Sequence, residues 1–150
     1  MKHTLQLIIV FAILLFTGCS KEEEPGVQAA EGPLCLVEIN GNFVETELDE
    51  MPVFLNGGEE GFYSAILEVA HYPTDARAAG IEGRCVLHYE ITETGEVENI
   101  EVVQDPGGGI GASAKDALAA ATAGPAFSPA MLNGAPVRVR KSLDIDYGLE

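Results

Sequence analysis

The chain has 150 residues, a formal net charge of −16 and three cysteines. That length suffices for one compact domain with its own core and is short for two. Twenty-four acidic residues against eight Lys and Arg exclude a nucleic-acid partner, because phosphate binding needs a basic face.

Lys2 and His3 precede an apolar run from Leu5 to Phe16 that only Gln6 interrupts, and the small pair Thr17-Gly18 leads to Cys19. A spanning helix needs about 20 apolar residues, so this shorter run reads as the core of a signal peptide. Phe16-Thr17-Gly18-Cys19 resembles the lipobox of bacterial lipoproteins. That resemblance implies cleavage before Cys19 and lipid on its thiol and new amino terminus, holding the chain to a membrane. Ser20 resembles the residue that sends lipoproteins to the outer membrane. Glu22-Glu23-Glu24 resembles a surface-export signal and reads equally as a solvated tether. The expected location is the cell envelope, anchored in the outer membrane and facing the periplasm or the surface. Residues 19–70 hold twelve acids and one base, Lys21, so the acidity is concentrated near the anchor.

The expected organisation is a signal peptide over 1–18, an acidic tether over 19–33, a hairpin extension over 34–49 and one domain over 50–150. Two extended runs, Leu34 to Ile39 and Asn42 to Thr46, flank Asn40-Gly41, a strong hairpin signal. Asn56-Gly57-Gly58 opens a helix with Glu59 and Glu60 in its first turn and Phe62, Ile66 and Val69 at helical spacing. Pro73 suits the first position of a second short helix, Thr74 to Ala79, which Gly80 stops. Arg84 to Thr92 alternates, with Cys85, Leu87, Tyr89 and Ile91 on one face and Arg84, His88 and Glu90 on the other. Glu96 to Gln104 returns after Thr94-Gly95, and its broken phase predicts a bulge near Glu98-Asn99.

Asp105 to Gly111 is a Gly-rich connection. It lacks the Lys-Ser/Thr and strand–loop–helix context of a phosphate cradle. Ser113 is the expected cap of a helix over Ala114 to Ala123. After Asn133-Gly134, Val137 to Tyr147 alternates again, with Val137, Val139, Leu143, Ile145 and Tyr147 inward. The order predicts an α+β fold of two layers: a short antiparallel sheet of about three strands plus the hairpin, with helices on one face.

In the oxidising envelope Cys35 and Cys85 leave two readings open, a disulfide or buried free thiols. The cysteine and histidine spacings suggest no metal, and His3, His71 and His88 sit in no nucleophile motif, so no catalysis and no cofactor are expected.

Tyr72-Pro73, Ala76-Arg77, Gly80-Ile81-Glu82-Gly83, Thr94-Gly95-Glu96-Val97 and Val102-Val103 resemble, in order, the C-terminal domain of TonB. So do Phe127-Ser128-Pro129-Ala130, Asn133-Gly134-Ala135-Pro136-Val137 and the closing strand. Met51-Pro52-Val53-Phe54 with Gly57-Gly58-Glu59-Glu60 resembles one branch of that family. The resemblance implies a partner: an outer-membrane TonB-dependent receptor, or another envelope protein, gripped through a short extended segment by strand addition. It also implies that the docking edge is the last strand, through Val137, Arg138, Val139, Arg140, Lys141 and Leu143. The same charges would also protect an unpaired edge. The alternative is a structural or assembly lipoprotein that reuses the fold as an edge-paired homodimer. A third reading keeps the leader uncleaved as a membrane helix of an energy transducer.

Overall fold

A computed structural model describes residues 34–149. The expected signal peptide, Cys19 and the acidic tether lie outside the described residues. Strands β1 (Leu34–Ile39) and β2 (Asn42–Glu47) form a hairpin closed by Asn40 and Gly41, both at positive φ. Helices α1 (Gly58–Val69) and α2 (Thr74–Ala79) follow, then β3 (Gly83–Ile91), β4 (Val97–Gln104) and α3 (Ile110–Ala121). A small hairpin of β5 (Ala130–Leu132) and β6 (Ala135–Val137) precedes the last strand, β7 (Val139–Tyr147). The main sheet has the order β2-β1-β7-β3-β4, antiparallel throughout. Among the described residues no helix is long and apolar enough to cross a membrane.

The alternation of β3 and β7 decides the layers. Cys85, Leu87, Tyr89 and Ile91 point to one face beside Val139, Leu143 and Tyr147, and Cys35 and Val37 of β1 join them. Phe62 and Ile66 of α1 and Ile110, Ala114, Ala117 and Leu118 of α3 cover that face. This is the expected two-layer α+β fold. The register of β3 and β4 shifts between His88 and Glu90, opposite Asn99 at φ 50°, so the expected bulge is present.

Three local expectations are corrected, and one reading left open is decided. The third helix begins at Ile110, not Ala114, and Ser113 lies within it, its hydroxyl donating to the carbonyl of His71 at 2.7 Å. The start is set upstream, where the Asp105 carboxylate accepts N–H bonds from Gly107 and Gly111. Pro73 stands one position before α2. The final run is interrupted at Arg138, between β6 and β7. Cys35 and Cys85 are free thiols, both buried. Cys85 pairs with Ile145 of β7, whereas Leu36, next to Cys35, pairs with Arg140. That offset along β7 is on the order of 13 Å, beyond the roughly 7 Å that a disulfide spans between Cα atoms.

The turn between β3 and β4 is tied to the far side of the domain. Gly95, at φ 82°, has its carbonyl bonded by the N–H groups of Ala126 and Phe127, and a Cβ on it would sit 1.9 Å from the Phe127 carbonyl oxygen. Gly134, at φ 74°, has open space around its Cβ position. Gly95→Ala is therefore expected to cost about 3 kcal/mol or more, through backbone displacement plus left-handed strain. Gly134→Ala carries only the conformational term of about 1 kcal/mol. Urea midpoints of the two variants check this; equal losses would contradict it.

Candidate functional site

The last strand is interior to the sheet. β3 pairs along the whole of β7, from Ile91↔Val139 to Gly83↔Tyr147. On the other side β1 pairs only at Val37↔Val139 and Leu36↔Arg140, extended by the Glu38 N–H bond to the Arg138 carbonyl at 3.0 Å. The hairpin thus covers the beginning of the strand expected to dock a peptide. From Lys141 onward β7 has no ladder partner on that side among the described residues. Antiparallel pairing alternates, and Arg138 bonds toward β1. The N–H and C=O groups of Ser142, Asp144 and Asp146 therefore face the open side, while odd-numbered residues bond to β3.

The structure divides the expected site residues between two faces. Val137, Val139 and Leu143 point to the helix side, where Val139 and Leu143 are buried in the core. Arg138 and Arg140 lie on the outer face and are engaged within the domain. Arg138 contacts Glu38 at 3.4 Å, Glu90 at 3.3 Å and Glu98 at 2.9 Å. Arg140 donates to Glu90 at 2.8 Å and stacks its guanidinium 3.9 Å from the Phe43 ring centroid. Asn99, raised by the bulge, donates to the same Glu90 carboxylate at 2.7 Å. These contacts link all five strands through one carboxylate that is only 5% exposed. Burial pushes the Glu90 carboxyl upward. Hydrogen bonds from Arg140, Asn99 and Arg138, with the Arg140 charge, outweigh it, and the net shift is below the ordinary Glu value.

Lys141 stands apart from that network, on the helix side. It lines a cavity of about 310 Å³ together with Val53, the rings of Phe54, Phe62, Tyr63, Tyr89 and Phe127, and Ser142. A neighbouring cavity of about 260 Å³ lies where β1 diverges from β7, between Leu34–Leu36 and Arg140–Ser142. Met51, Lys141 and Ser142 line both. The segment 50–55 that walls them is pinned by bonds from Val53 N–H to the Ser128 hydroxyl and from Leu55 N–H to the Ala126 carbonyl.

Sequence reasoning missed Glu90, which alternation placed on a solvated face. A carboxylate flanked across strands by Arg138 and Arg140 was the available signal. It also missed the cavity, whose walls come from residues up to 91 positions apart in the chain.

The geometry has counterparts among known proteins. The family model described as Gram-negative bacterial TonB protein C-terminal matches residues 68–149. The fold is similar to the solution structure of the Helicobacter pylori TonB C-terminal domain, at 25% identity and a TM-score of 0.51, covering 61% of this chain and 79% of that one. A shorter form of the same Helicobacter pylori domain is 27% identical with a TM-score of 0.42, covering 58% of this chain and 88% of that one. No curated protein matches the sequence. The family match begins at the end of α1, so β1, β2 and the 50–55 segment precede it.

Because Glu90 titrates at a lower pH folded than unfolded, its contribution is complete above the ordinary carboxyl value of about 4.3 and is lost as pH falls through the folded one. Glu90→Gln is expected to lower stability at pH 7 by about 2 kcal/mol, discounted for the partly exposed arginines, and to flatten the acid limb of the stability curve. Urea unfolding between pH 3 and 7 checks this; an acid limb as steep as that of the parent would contradict it.

Proposed function

The chain belongs to the Gram-negative bacterial TonB protein C-terminal family, and from that membership we propose that it grips an extended, TonB-box-like segment of an outer-membrane transporter by strand addition. The observation that carries the reading is the open half of β7. Its backbone groups at Ser142, Asp144 and Asp146 face outward beside a strand that β3 holds firmly from behind. A segment laid there gains main-chain hydrogen bonds and becomes the sheet's local edge. The docking edge is thereby moved from the span Val137 to Leu143 to the stretch from Lys141 to Tyr147, because β1 already occupies the earlier part. Arg138 and Arg140 act indirectly, by holding the hairpin and β7 in register. The role is one of binding within the cell envelope, not of catalysis.

The anchor in this reading is lipid on Cys19, with the acidic stretch before Leu34 as tether. A second reading, an edge-paired homodimer, draws support from β2, an outer strand with Val44 46% exposed.

Fluorescence anisotropy of a labelled TonB-box peptide, titrated with the full chain, tests the grip. Asp144→Pro removes an N–H that faces the open side without touching the β3 ladder, and is expected to weaken binding at least tenfold. Asp144→Ala, which keeps that N–H and loses only an exposed charge, is expected to bind within about threefold of the parent. Equal binding by the proline variant, with circular dichroism unchanged, contradicts strand addition at β7. Metabolic labelling with a radioactive fatty acid tests the anchor: label on the parent and none on Cys19→Ser is expected, and an unlabelled parent contradicts it.

A further inference from the structure

The cavity beside Lys141 has the walls of a preformed side-chain site. Phe54, Phe62 and Phe127 meet in tilted and edge-on contacts with centroids 5.4–5.5 Å apart. Tyr89, on β3, completes the floor at 2% exposure. Interlocked rings of this kind form a rigid wall that does not relax to fill the space. Val53 and Tyr63, 52% and 46% exposed, line it on the solvent side together with the exposed Glu59. Through Met51, Lys141 and Ser142 the cavity continues into the groove where β1 leaves β7, and so to the start of the open strand edge.

A strand paired with β7 alternates its side chains between two unlike surfaces. On the helix side they meet Lys141, Leu143 and the aromatic cavity. On the outer side they meet Asp144 and Asp146, whose counterion is Arg84. We propose that the cavity is the anchor site for one aromatic or long aliphatic side chain of a partner protein's extended segment docked on β7. The outward-facing residues of that segment are neutral or basic. This deepens the reading of β7 as the docking edge and rests on it.

Size admits this occupant, and charge and the continuity with the open strand edge select it. About 310 Å³ is at the lower end of small-molecule sites and has room for one ring side chain. The Lys141 ammonium at the cavity favours the face of an inserted ring. The net charge of −16 and the two aspartates repel an acidic segment. A second copy of this chain is disfavoured for the same reason. Its outer strands carry Glu45 and Glu47 on β2, and Glu98 and Glu101 on β4, which would face Asp144 and Asp146.

The test uses the full chain in detergent and four labelled nonapeptides of alternating valine and threonine. They differ only in having Ala, Leu, Phe or Trp at one helix-facing position. Binding by anisotropy is expected to tighten about tenfold or more from Ala to Phe. Val53→Trp, which fills the mouth at an exposed position, is expected to bring the Phe-to-Ala ratio near one. If all four peptides bind equally, or the ratio survives Val53→Trp, the anchor site is wrong although the docking edge stands. If none binds at millimolar concentration, the docking edge fails and the anchor site with it. Self-association of the parent that Val53→Trp abolishes would assign the cavity to a second copy and overturn the proposal.

Discussion

A carboxylate shielded from water costs too much unless its charge is met, and Glu90 is met from every neighbouring strand. Arg140 of β7 and Arg138 just before it supply the charge, and Asn99 of β4 supplies a neutral donor. Arg138 then reaches Glu38 of β1, and Arg140 covers Phe43 of β2. A one-residue slip of β7 against β3 would turn both arginines away from Glu90 and bury Asp144 instead of Leu143. The contact therefore fixes the register of the central pair, and the position of the hairpin follows from it.

The hairpin in turn determines which part of β7 remains available. It attaches over a short span, sealing the strand at Val139 and Arg140 and diverging at Cys35, whose thiol still lies 3.8 Å from the Arg140 carbonyl. Beyond that point the edge is open and the two cavities adjoin it. The two arginines that look from sequence like peptide contacts are internal fasteners, and the cation left beside the groove is Lys141. The hairpin and the 50–55 segment, which wall this site, both precede the matched family region.

Local physics was legible in the sequence where local physics decides the structure. Alternation from Cys85 to Ile91 and from Val139 to Tyr147 placed the core face correctly, because a half-buried strand repeats every two residues. Asn40-Gly41 and Asn133-Gly134 marked their turns through residues that tolerate positive φ. The broken phase of Val97, Ile100 and Val102 announced the bulge. The beginning of α3 was not legible, because three glycines at positive φ and the distant Asp105 carboxylate set it rather than the nearby Ser113. The docking of β1 on β7 was hidden for a different reason. It joins residues about a hundred positions apart, and nothing in either strand's own pattern specifies the other. The candidate site inherits that limit: the strand was readable, its covered half was not.

Among the described residues, β7 from Ser142 onward offers unpaired backbone groups to an incoming strand. Amide hydrogen exchange of the full chain, followed by NMR with and without a TonB-box peptide, measures this directly. Fast exchange is expected at Ser142, Asp144 and Asp146 in the free protein and slow exchange with peptide bound, while Leu143 and Ile145 stay protected by β3 throughout. Protection of the even-numbered amides in the free protein, or no change on adding a peptide that binds, would contradict it.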